Sequence, residues 1–118
     1  MKIVGALLAC ALVLAGCGGG DGSDGSSDQG AVTVTIAVKD GKVTPQGKRV
    51  DVKAGEPVTL RISSDADEEI HVHSDPEHEY EVGPGDQVDK TFTIDTPGQV
   101  AVEAHHLDVT IVQLVVKP

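Results

Sequence analysis

The chain has 118 residues and a mass of 12.2 kDa, room for a single domain. Aromatic residues make up 2%, with no Trp and only Tyr80 and Phe92, so a core must be built from Val, Ile and Leu, which suffice at this size. Nineteen acidic against nine basic residues give a net charge of −10, which excludes a nucleic-acid partner because no basic surface is available to neutralise phosphates.

Met1-Lys2 is a short basic start, and the run from Ile3 to Ala15 is apolar. Those thirteen residues fall short of the roughly 20 that a spanning helix needs, and they fit the core of a secretion signal. The run closes on Leu14-Ala15-Gly16-Cys17, which resembles the bacterial lipobox. That resemblance implies a signal peptide over residues 1–16, cleavage before Cys17 and lipidation of Cys17. It places the protein at the cell membrane, lipid-anchored on the extracytoplasmic side. Two acyl chains anchor stably, since each buried methylene contributes about 0.8 kcal/mol. Cys10 leaves with the signal and the Cys17 thiol becomes a thioether, so neither a disulfide nor a free thiol is expected. Gly18 to Gly30 reads GGGDGSDGSSDQG and has nothing to bury. With Cys17 it forms a flexible tether over residues 17–30, with a reach of about 20 Å, and its aspartates are repelled by anionic lipid.

From Ala31 the pattern switches to period two, which marks residues 31–118 as the folded domain. Val32, Val34, Ile36 and Val38 alternate with Thr33, Thr35 and Ala37, a half-buried strand rich in β-branched residues. Asp40-Gly41 and Pro45-Gln46-Gly47 punctuate, and Val50 and Val52 form a second alternation. Ala54-Gly55-Glu56-Pro57 precedes Val58, Leu60 and Ile62. Ile70 and Val72 come next, then Tyr80 and Val82, then the turn Gly83-Pro84-Gly85-Asp86. Phe92 and Ile94, then Val100 and Val102 after Thr96-Pro97-Gly98, and finally Val109 to Val116 complete the series. No window shows a sustained helical period. About eight short strands with regular turn signals predict an all-β Greek-key sandwich.

All five histidines fall between residues 71 and 106, as His71, His73 and His78, then His105 and His106. Charge is equally uneven: from Ile62 to Val116 there are thirteen Asp or Glu residues against one base, Lys90. His71-Val72-His73 places two imidazoles on one face of a strand, about 7 Å apart at Cα. Two such imidazoles can converge on one divalent ion, Cu(II) or Zn(II), with carboxylates completing the site. Ligands usually arrive from distant segments, so His105 is the expected third, with Glu103, His106 and His78 as further candidates. His78 lies in the polar stretch with Ser74-Asp75-Pro76-Glu77, where an exposed histidine is the default. His105 and His106 point to opposite faces if the strand persists.

The series Gly55-Glu56-Pro57-Val58-Thr59-Leu60, Glu69-Ile70-His71-Val72-His73, Val82-Gly83-Pro84-Gly85 and Phe92-Thr93-Ile94-Asp95-Thr96-Pro97-Gly98 resembles a cupredoxin-like domain. It is most similar to small bacterial lipoproteins related to the cupredoxin domain of iron-uptake (EfeO-type) proteins, over nearly all of residues 31–118. Blue-copper members of the fold bind copper through an early His, then a Cys, a second His and usually a Met. The resemblance matches His71 to the early His and Ala104 to the cysteine position. His105 and His106 come immediately after Ala104, and no Met exists beyond Met1. Without thiolate a blue-copper site has no basis, and what remains is a histidine and carboxylate site.

The mature chain has no Cys nucleophile, and no Ser sits in a G-x-S-x-G context, so an enzyme is not expected. The leading reading is a membrane-anchored, extracytoplasmic cupredoxin-like lipoprotein that binds a divalent metal. An alternative is a metal-free sandwich serving as an interaction module of the cell envelope, its acidic face meeting a basic protein partner. Electron transfer is the third.

Overall fold

The period-two alternation resolves into nine strands in the computed structural model, which describes residues 31–118. The expected signal peptide, Cys17 and the tether lie outside the described residues. The strands are β1 (Val32–Lys39), β2 (Lys42–Thr44), β3 (Lys48–Lys53), β4 (Pro57–Ser64), β5 (Glu68–Val72), β6 (His78–Val82), β7 (Gln87–Thr93), β8 (Gly98–Ala104) and β9 (Val109–Lys117). They form a four-stranded sheet, β2-β1-β4-β7, and a five-stranded sheet, β3-β9-β8-β5-β6. The all-β sandwich is as expected, with one strand more. That strand, β2, has three residues of which only Val43 is buried, too short to register as an alternation.

Two pairings are parallel, β1 with β4 and β3 with β9. A parallel pair cannot be closed by a hairpin, so between β1 and β4 the chain crosses to the other sheet through β3 and returns. The hairpin from β1 to β2 turns on Asp40 and Gly41, both at positive φ (52° and 72°), with Lys39 opposite Lys42. That is the two-residue turn whose twist suits an antiparallel pair. Between β6 and β7, Pro84 and Gly85 (φ 87°) form a type II turn closed by Asp86 N–H donating to Gly83 C=O at 3.1 Å.

The core lies between the sheets and is aliphatic. Ile36, Leu60 and Ile62 from one sheet face Ile70, Val72, Val102 and Leu114 from the other, all essentially inaccessible to solvent. Burying a side chain of this kind stabilises by about 1.5–3 kcal/mol. Phe92 is buried, while Tyr80 is half-buried and packs beside it with ring centroids 6.5 Å apart. The described residues enclose a core of twenty buried hydrophobic side chains, and a chain beginning at Gly18 contains all twenty.

Candidate metal centre

Ile70 and Val72 of β5 are drawn into the core, and strict alternation then sends Glu69 and His71 to the outer face of the five-stranded sheet. His73 lies just beyond the strand, where its N–H donates to Ala101 C=O at 2.9 Å and keeps the backbone aligned. Its ring sits 4.0 Å from that of His71, centroid to centroid, tilted by 34°. The expectation from the i, i+2 spacing is met.

The neighbouring strands supply the carboxylates. Glu79 of β6 is directly opposite His71 on one side, and Glu103 of β8 directly opposite on the other. Glu69 faces Glu81 in the same way. The loop between β5 and β6 is pinned by Ser74 Oγ donating to Pro76 C=O at 2.7 Å, and it brings Glu77 over the two rings. Glu77 Oε2 is 3.1 Å from His71 Nε2, and its Oε1 is 3.8 Å from His73 Nδ1. Glu79 Oε1 lies 3.7 Å from His71 Nε2, and Glu103 Oε2 lies 2.9 Å from His73 Nε2. Ligand atoms of His71, His73 and Glu77 all fall within 4.8 Å of one another, as do those of Glu69, His71 and Glu79.

The cluster is open on one side: the His71 side chain is 16% exposed and that of Glu77 58%. Four carboxylates, Glu69, Glu77, Glu79 and Glu103, lie beside two imidazoles, and none of these groups is ion-paired with a Lys or Arg among the described residues. Like charges directly opposite one another, as in Glu69 and Glu81, are destabilising, and a cation would relieve them. The outer face of the other sheet is different. There Arg61 donates to Asp89 through Nε (3.1 Å) and Nη2 (3.2 Å), and these hydrogen bonds hold the Asp89 carboxyl below its usual range.

The remaining sequence candidates lie elsewhere. β8 ends at Ala104, after a register shift at Val102/Glu103, so the alternation that would align His105 with Glu103 stops. His105 is instead an exposed turn residue whose N–H donates to Glu69 C=O at 2.9 Å, and it belongs to neither ligand group. His106 points toward Asp67, with Nδ1 3.2 Å from that carbonyl oxygen. His78 opens β6 opposite Val72, half-buried, with its ring 5.2 Å from Phe92. The polar stretch before it is a hairpin loop. Of the further candidates only Glu103 joins the pair, and Glu69, Glu77 and Glu79 are additions. A sequence signal for them exists. A hairpin centred on Asp75 makes opposed residues sum to 150, so 71 meets 79 and 69 meets 81.

The match of His71 to an early blue-copper ligand fails on geometry. Ile70 pairs with Ala104 and His71 with Glu103, so Ala104 faces the core while His71 faces out, on opposite sides of one sheet. The turn after Ala104 is organised by a carboxylate. Glu68, 2% exposed, accepts N–H bonds from His106 (2.7 Å), Leu107 (3.2 Å) and Glu69 (2.8 Å).

Comparison with solved structures places this architecture. Auracyanin A, a "blue" copper protein from the green thermophilic photosynthetic bacterium Chloroflexus aurantiacus, superposes with a TM-score of 0.54 at 18% identity, over 75% of this chain and 100% of that one. The fold is cupredoxin-like. Auracyanin from Roseiflexus castenholzii matches at 17% identity and TM-score 0.51, over 73% of this chain and 97% of that one. A purple cupredoxin from Nitrosopumilus maritimus matches at 14% and 0.50, over 73% and 99%. No protein-family model and no curated protein matches the sequence. Likeness at this level concerns the fold, and a thiolate copper site does not fit this cupredoxin-like domain. Residues 31–118 contain neither Cys nor Met.

Proposed function

We propose that this cupredoxin-like domain captures a divalent transition-metal ion on the outer face of its five-stranded sheet, through His71, His73 and Glu77. The observation that supports this is the convergence of their ligand atoms within 4.8 Å, amid carboxylates that no Lys or Arg among the described residues neutralises. Imidazole and carboxylate donors suit Cu(II) and Zn(II), and Cu(II) binds such sites more tightly. The open geometry fits binding and handling of the ion, with no catalysis. The lipobox resemblance adds the setting: an anchor at Cys17 and a tether that presents the domain outside the membrane.

The test uses the chain from Gly18 onward, titrated with Cu(II) and Zn(II) against a competing chelator at neutral pH. A saturable one-to-one site is expected, lost in His71→Ala/His73→Ala. No saturable site in the parent, or equal affinity in the double variant, refutes the proposal. The copper complex should lack an intense visible band, because no thiolate is present to produce one. The anchor is tested separately. Cys17→Ser should abolish incorporation of labelled palmitate and move the protein out of the membrane fraction.

A further inference from the structure

His73 has two ring nitrogens, and the structure gives them different neighbours. Nε2 lies 2.9 Å from Glu103 Oε2, a charge-assisted hydrogen-bond distance. Nδ1 faces Glu77 Oε1 at 3.8 Å, on the side of the His71 ring. A carboxylate only accepts, so the proton of a neutral His73 ring sits on Nε2 and the lone pair is on Nδ1. The two ring nitrogens point in divergent directions, so a group hydrogen-bonded to Nε2 cannot bind the ion that Nδ1 holds.

We infer that Glu103 is a positioning residue and not a ligand: it fixes His73 in the Nε2–H tautomer and presents Nδ1 to the ion. The inference rests on the metal site proposed above. The ion then takes the place of the proton that His71 Nε2 shares with Glu77 Oε2 (3.1 Å), and His73 Nδ1, 3.8 Å from Glu77 Oε1, is the second imidazole donor. Glu103 is well placed for this. Its backbone is locked in β8, opposite His71 on one side and Thr110 on the other, so its reach is set by sheet register. Carboxylate support of a ligating imidazole orients the ring and raises its basicity, and losing such a partner typically costs about 10–100-fold in metal affinity.

The test compares the parent chain from Gly18 onward with Glu103→Ala and Glu103→Gln. Imidazole 15N shifts of His73, read on metal-free protein at a pH where the ring is neutral, report the tautomer. Cu(II) affinity is read by chelator competition. The parent should show an unprotonated Nδ1. Glu103→Ala should average the two tautomers and weaken Cu(II) binding at least tenfold. Glu103→Gln, which keeps an acceptor oxygen, should retain the tautomer and recover part of the affinity. A parent His73 protonated on Nδ1, or Cu(II) affinity within twofold in Glu103→Ala, overturns the positioning role while leaving the metal site standing. A parent that binds no Cu(II) overturns the metal site itself.

Discussion

Replacing Glu68 tests whether a buried carboxylate organises the end of the sandwich. Its oxygens accept N–H bonds from His106 at 2.7 Å and Leu107 at 3.2 Å, reaching across 38 and 39 residues of chain. A hydrogen bond to a charged group contributes about 1.5–3 kcal/mol. Two such bonds set an upper range of about 3–6 kcal/mol, and His106 is exposed enough for water to recover part of it. Glu68→Ala should therefore cost about 3 kcal/mol, and Glu68→Gln, which keeps the size and one acceptor oxygen, about 2 kcal/mol. For a domain of this length, 3 kcal/mol corresponds to a melting temperature lower by about 10–20 °C. Urea unfolding monitored by far-UV circular dichroism measures the loss, and amide exchange localises it to His106 and Leu107. If both variants stay within about 0.5 kcal/mol of the parent, the size of an ordinary surface substitution, the clamp has no energetic role and the reasoning is wrong.

The same geometry sets other expectations. Cu(II) at a hundredfold excess over its dissociation constant should stabilise the parent by about 2.7 kcal/mol, an increment that chelator removes and His71→Ala/His73→Ala lacks. That stabilisation should fade as pH falls, because protons compete with the ion for the imidazoles. A melting temperature indifferent to Cu(II) at every pH would count against the site. Burial pushes the Tyr80 phenol above its usual value of 10, so phenolate absorbance, which Tyr80 alone supplies, should titrate at higher pH in the folded chain than in urea. The stability that the neutral phenol contributes is whole below the unfolded value and is lost as pH rises through the folded one. Coincident folded and unfolded titrations would contradict it. Leu60→Ala, at a fully buried position, should cost about 3 kcal/mol in the same urea assay, and a loss under about 1 kcal/mol would mean that the core around Leu60 is loosely packed.

Carboxylates elsewhere on the sandwich have cations to answer them. On the four-stranded sheet Arg61 answers Asp89, and at the β3–β9 side of the five-stranded sheet Lys117 answers Asp51. On the five-stranded sheet Glu69, Glu77, Glu79 and Glu103 gather around His71 and His73 with no cation among the described residues to answer them. That asymmetry connects the acidic composition to the proposed function. The excess charge is concentrated where an ion would be held.

Much of this was legible in the residues because its cause is local. Alternating Val and Ile residues from Val32 to Val38 can only hide one face in an extended chain, and Asp40-Gly41 is suited to the positive φ of a tight hairpin. The same period of two sets His71 and His73 on one face whatever the strand pairing. The residue beside His71 on β8 was not legible in that way. Glu103 lies 32 residues further along, and only the pairing of β5 with β8 sets it beside the imidazoles. His105 shows the converse. It shares Glu103's parity in sequence, but the strand stops at Ala104, and parity has no meaning in a turn. Glu68 and Glu69 look alike as an acidic pair, yet one is buried against the turn after β8 and the other faces the histidines. Strand periodicity is a property of one chain segment, readable from its residues. Register between distant segments is decided by how two sheets close around one core, and that decision set Glu103 beside His71 and His73.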